Sequence, residues 1–161
     1  MRSARRRDAA GFTLIEMLVV VLIIAVMIGV AGVNLMRGPE DLARDESERL
    51  AMVLRAARDE AILQGRVYTL ATEAGGYRFL RLEKDGRLKP LADDLLRPRE
   101  LPAGVAIEAL NIDGAAGTAR DGLVFLPSGE LPVFHVVLTG GKARYSVVGE
   151  ADGTIRMQVG T

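Results

Sequence analysis

Hydrophobic positions fall into three regimes along the chain. From residue 17 to 33 there is no charged or strongly polar side chain, and Phe12, Leu14 and Ile15 extend the apolar reach to residues 12–33, interrupted only by Thr13 and Glu16. A hydrocarbon core of ~30 Å is crossed by about 20 apolar residues rising ~1.5 Å each, so this stretch predicts a single transmembrane helix. Gly38-Pro39 then breaks the helical pattern, because proline removes a backbone bond and clashes with the carbonyl four residues back. A helix is expected to kink or restart there, with Glu40 and Asp41 in a first turn whose dipole favours acids. Beyond it, Leu50, Val53, Leu54, Ala57 and Ala61 recur at spacings of three and four and form one apolar stripe. The opposite face is charged: Arg44 with Glu48, Asp45 with Arg49, and Arg55 with Asp59 stand four apart, pair weakly across a turn and read as a solvated face. Gln64-Gly65 supplies the stop.

After Gly65 the period shortens to that of strands. Residues 66–71 and 77–82 flank Glu73-Ala74-Gly75-Gly76, a hairpin signal, and Lys84-Asp85-Gly86 is a second turn before a short strand at 87–91. Residues 92–102, with Pro98 and Pro102, read as loop. Further strands are expected at 105–110, 123–126, 132–139, 143–148 and 154–159, with a flexible Gly-, Ala- and Asp-rich loop at 111–122. The expected fold class is α+β: a long N-terminal helix packed by its stripe on antiparallel β-sheets.

Charge changes the picture at the N-terminus alone. Formal net charge is zero, but Arg2, Arg5, Arg6 and Arg7 against Asp8 make residues 1–11 basic and leave the rest at −3. Arginines flanking a first span hold that end in the cytoplasm, so the remainder faces the opposite compartment. The slightly acidic remainder does not advertise a nucleic-acid binder. With no cysteine, disulfides, thiolate metal sites and cysteine nucleophiles are excluded. A carboxylate such as Glu16 in an apolar span costs about 2.5–3.5 kcal/mol on insertion scales and needs a partner or the interface.

Gly11, Phe12, Thr13-Leu14-Ile15 and Glu16, behind a short basic leader and ahead of a long apolar helix, resemble the type IV prepilin motif. The resemblance implies that a prepilin peptidase cuts between Gly11 and Phe12 and methylates the new amine of Phe12. That cation would sit at a helix N-terminus, and Glu16 of one subunit could accept the Phe12 amine of its neighbour. Such a pair would set axial register more than add stability, because a desolvated ion pair only about breaks even. The rival route is an ordinary signal peptide cut near Val30-Ala31-Gly32, opposed by the length of the apolar run and its acidic residue.

The C-terminal half narrows the resemblance. Leu101-Pro102-Ala103-Gly104-Val105, then Val124-Phe125-Leu126-Pro127-Ser128-Gly129, then a hydrophobic strand and a hairpin ending Asp152-Gly153-Thr154-Ile155 look like the domain of the H-type minor pseudopilins of type II secretion and the FimT-like minor pilins. This implies a type IV pilin-like fold: residues 1–11 a leader peptide, 12–33 the transmembrane part of the helix, 34–65 its periplasmic part, and 66–161 the antiparallel β domain. It implies a structural, non-enzymatic component near the tip of a periplasmic pseudopilus, anchored by a single pass in a bacterial inner membrane. Its partners would be other minor and major pseudopilins, the prepilin peptidase, and secreted substrates or the outer-membrane secretin, with no cofactor. The FimT-like alternative, pilus assembly or DNA uptake, calls for several phosphate contacts, and the tail offers only Arg156, with Arg144 and Lys142 nearby; no nucleic acid is expected.

Catalytic readings are weaker. His135 is the only histidine and reads as a half-buried strand residue. Ser128, His135 and Asp121 lack a nucleophile-elbow pattern. Asp93-Asp94 reads as solvated loop, and Asp113 and Asp121 lack the alternating oxygen spacing of a calcium loop, so no metal is expected.

Overall fold

The computed structural model describes residues 13–35, 37–73, 75–91, 94–116 and 122–160, and the chain divides into two compact units, residues 1–37 and 38–161. Gly11, Phe12, Asp93 and Asp121 lie outside the described residues.

In the first unit, helix α1 runs Leu14–Leu35. Thr13 begins it: its carbonyl accepts the amides of Glu16 and Met17, and its Oγ1 also accepts the Glu16 amide at 3.3 Å. This is one half of a capping box, Thr at the N-cap and Glu three residues on. Side chains are described for residues 14–28 of this helix, all exposed in the isolated chain, and among the described residues no helix is long and apolar enough to cross a membrane.

The second unit opens with α2, Pro39–Gln64. The helix restarts where proline can occupy a first-turn position without losing a bond. It ends at Gly65, whose φ of 61° and ψ of 36° place it in the left-handed region, and the Arg66 amide returns to the Ala61 carbonyl at 3.1 Å. That closure is the glycine-dependent cap expected past a helix end. Leu50, Val53, Leu54, Ala57 and Ala61 are all buried, and Ala43, Glu46 and Ser47 continue the same face toward Pro39.

Two antiparallel sheets complete the unit. The first contains β1 (Tyr68–Glu73), β2 (Gly76–Leu82), β3 (Leu88–Pro90), β4 (Arg99–Glu100) and β7 (Leu123–Phe125), in the order β3-β2-β1-β7 with β4 also on β2. The second contains β5 (Val105–Ile112), β6 (Ala115–Ala116), β8 (Phe134–Gly140), β9 (Ala143–Gly149) and β10 (Ile155–Val159), in the order β10-β9-β8-β5-β6. Alternation sets which side chains face inward: in β8, Phe134, Val136 and Leu138 are buried while His135 points out. One core joins both sheets to α2 through Leu50, Leu54, Phe79, Phe125, Phe134 and Val147. Phe79 bridges Tyr77, edge to face at 6.2 Å, and Phe125 at 6.4 Å.

Two loop expectations are corrected. Within residues 92–102, β4 pairs Tyr77 with Arg99 and Gly76 with Glu100. Within 111–122, β5 continues to Ile112 and turns into β6 through Asp113-Gly114, both with positive φ (50° and 78°). An Asp-Gly pair at positive φ is the two-residue turn whose twist matches antiparallel strands. Close approach decides another position: a Cβ on Gly140, at the end of β8, would overlap the Pro39 carbonyl, so only glycine lets this hairpin seat on the start of α2.

Candidate functional site

Two regions bear on function: the first turn of α1 and the polar contacts that hold α2 on its sheets. At the first, Glu16 is exposed and in the opening turn, four residues from Phe12 in sequence. Thr13 and Glu16 are brought together by the capping bond, and the carboxylate is left on the helix surface near the positive end of the dipole.

The second region was not expected from the charge pattern, which read the non-stripe face of α2 as solvated. Arg44 and Glu48 do pair at 3.1 Å on the surface. Arg55, however, donates to the Ile155 carbonyl at 2.8 Å rather than serving Asp59, so that expected pair is corrected. Arg58 donates to the Gly129 carbonyl at 3.1 Å and the Gly153 carbonyl at 3.2 Å. A guanidinium's fan of donors suits this task, satisfying the carbonyls of two turns and of the first residue of β10. The two arginines tie α2 to the β9–β10 turn and to the Pro127-Ser128-Gly129 turn.

At the other flank Glu46 is buried at 3 % exposure, and Arg99 grips it with two bonds, Nε to Oε1 at 3.2 Å and Nη2 to Oε2 at 2.9 Å. The Tyr77 hydroxyl donates a third at 3.1 Å. Burial, then the neighbouring Glu46 charge, pushes the Tyr77 phenol well above its ordinary range, and the Glu46 hydrogen bond raises Arg99. The cluster joins α2, β2 and β4, adding side-chain bonds to the backbone pairing of β4 with β2. A signal for it exists in sequence: Glu46 stands four residues before Leu50 and three after Ala43, on the buried face.

The weaker candidates have structural occupations. Ser128 donates to the Glu130 carboxylate at 3.3 Å within an exposed turn. His135 lies on the exposed face of β8, not half-buried, because alternation turns it away from the core. Asp113 Oδ1 accepts the Val133 amide at 3.1 Å, tying its turn to the start of β8. Among the described residues no group of acidic or histidine side chains could hold a metal. Two of the basic residues of this region are engaged: Arg144 pairs with Glu108 at 2.6 Å and Arg156 with Glu150 at 2.5 Å. Glu83, clasped by Arg81, and Asp152, accepting the Thr154 amide, are each held below the usual carboxylate range.

The second unit's fold is that of solved minor pseudopilins. The chain superposes on EpsH from the type 2 secretion system of Vibrio cholerae with a TM-score of 0.63 at 21% identity, covering 74% of this chain and 98% of that one. The solution structure of Escherichia coli GspH gives 0.59 at 17% identity, covering 74% and 89%. In sequence the chain is 38% identical over 146 residues to the type II secretion system protein H of Pseudomonas aeruginosa, covering 82% of this chain and 84% of that protein. Residues 6–32 match the prokaryotic N-terminal methylation motif, which takes in Gly11, Phe12 and Glu16. Residues 46–153, more than half of the chain, match the Type II transport protein GspH, and the chain belongs to that family.

Proposed function

We propose that this chain is a minor pseudopilin of a type II secretion system, a structural subunit at or near the tip of a periplasmic pseudopilus and not an enzyme. The observation that carries the reading is the coincidence, in one chain, of the methylation motif at residues 6–32 with the GspH domain at 46–153. A prepilin peptidase cuts between Gly11 and Phe12 and methylates Phe12. Residues 12–33 then anchor the subunit in the inner membrane, with residues 34–161 in the periplasm. The run of residues 17–33, without a charged or strongly polar side chain, supports the anchor.

Glu16, placed in the first turn by Thr13, accepts the Phe12 amine of the subunit ahead of it. The pair offsets the cost of each charge in the membrane and defines how far one helix slides along the next. The second unit supplies the surface for other pseudopilins, and α2, pinned by Arg55, Arg58 and Glu46, transmits axial force into both sheets rather than peeling from them. The engagement of Arg144 and Arg156 by carboxylates favours this reading over DNA uptake, which requires free cations.

The test is the intact mass and first residue of the mature protein from its native membrane. Methylated phenylalanine corresponding to Phe12 is expected. A start near Val33 would mean a secreted domain and would end the filament reading.

A further inference from the structure

On the outward side of α2, Met52, Ala56, Asp59 and Leu63 follow spacings of four, three and four, which puts them on one narrow line. Met52 is 52% exposed and Leu63 80% exposed, an apolar investment that the domain's own core does not use. Beside this line the segment after residue 93 brings Leu95, itself 45% exposed, over the buried Leu96. Between helix and segment lies a groove of about 410 Å³ lined by Ala56, Asp59, Glu60, Asp94, Leu95 and Leu96.

Its described lining is apolar at Ala56, Leu95 and Leu96 and acidic at Asp59, Glu60 and Asp94, with no lysine or arginine among the described lining residues. The neighbouring arginines are directed elsewhere: Arg55 and Arg58 are committed to carbonyls of the β9–β10 turn and its neighbour. We propose that this groove docks a segment of another pilin-like subunit that carries an apolar side chain flanked by lysine or arginine. Ala56 leaves room for the apolar group, Leu95 closes over it, and Asp59, Glu60 and Asp94 meet the flanking cations. An apolar anchor inside a charged rim is the arrangement in which the centre holds a partner and the rim selects it. The inference rests on the filament reading above.

The absence of cysteine from the chain makes the test clean. Full-length Leu95→Cys, bearing a thiol-directed benzophenone, is irradiated in membranes containing each other pseudopilin of the same secretion system in turn. Lys84→Cys, on the exposed β2–β3 turn, is the control. Expected is an adduct of the Leu95 label with one subunit at a peptide containing lysine or arginine, absent from the control. The double change Asp59→Lys, Asp94→Lys should lower its yield about fivefold or more, as like charges meet across the rim.

No adduct, an adduct with a second copy of this chain, equal labelling from the control, or a yield indifferent to the charge reversal would each overturn the proposal. Maturation at Phe12 and membrane recovery are read in the same sample. A processed, membrane-bound subunit without the adduct removes the groove alone, whereas an unprocessed one removes the filament reading.

Discussion

Arg99→Met isolates what the buried cluster contributes. The substitution keeps much of the aliphatic volume but removes both guanidinium bonds to Glu46, leaving that carboxylate at 3 % exposure with its bond from the Tyr77 hydroxyl. Stripping one partner from a buried pair costs about 3–5 kcal/mol, because the remaining charge keeps its desolvation penalty. The Arg99 side chain is itself 37% exposed, so water can reach the vacated position. We therefore place the loss at about 2–3 kcal/mol, at and just below the lower end of that range.

The assay is urea unfolding of a fragment spanning residues 38–161, followed by circular dichroism. With a denaturant slope of about 2 kcal/mol/M, the midpoint should fall by roughly 1–1.5 M. Combining Arg99→Met with Glu46→Gln removes the stranded charge, and the double variant should be less unstable than the sum of the two single changes. A midpoint for Arg99→Met within error of the parent, or strict additivity in the cycle, would refute the role given to this cluster.

Tyr77→Phe should cost about 1.5 kcal/mol at neutral pH, as a hydrogen bond to a charged acceptor is lost. Its pH signature is distinct: burial and Glu46 raise the Tyr77 phenol above its ordinary 10.0, so only the unfolded chain ionises just above that value and stability falls as pH rises past 10. The phenylalanine variant should show a shallower decline in unfolding midpoint between pH 9 and 11, with Tyr68, also raised by burial, supplying the remainder. Gly140→Ala should lower stability by about 1–3 kcal/mol by forcing the β8–β9 hairpin off Pro39; an unchanged melting temperature would show that the hairpin gives way freely. Glu16→Ala should leave cleavage at Gly11 largely intact while impairing assembly, measured as mature protein in membranes with reduced secretion of exoproteins. Full secretion would remove the pairing role of Glu16.

Local chemistry made much of this molecule legible before any coordinates. The break at Pro39, the stop at Gly65 and the stripe from Leu50 to Ala61 follow from backbone geometry and helical period, which act over a few residues. The motif from Gly11 to Glu16 is equally local, and its family match lies in the same residues. Strand positions came through because alternation is local too, although β4 was missed: two residues between prolines carry no periodic signal, and β4 exists only because β2 offers it an edge.

The burial of Glu46 illustrates the other class. Its place on the apolar face could be counted along the helix, but the identity of its partners could not: Tyr77 lies 31 and Arg99 53 residues away in sequence. In the same way Arg55 looked like half of a surface pair with Asp59 until the fold brought the Ile155 carbonyl, 100 residues on, within 2.8 Å. By itself the sequence determined where helices begin and end, which faces are apolar, and the N-terminal motif, because each depends on neighbours a turn or two away. Only the tertiary structure decided which charges are buried, which arginines act as clamps, and where an acidic groove opens, because those depend on desolvation and on donors and acceptors that meet only when distant segments pack.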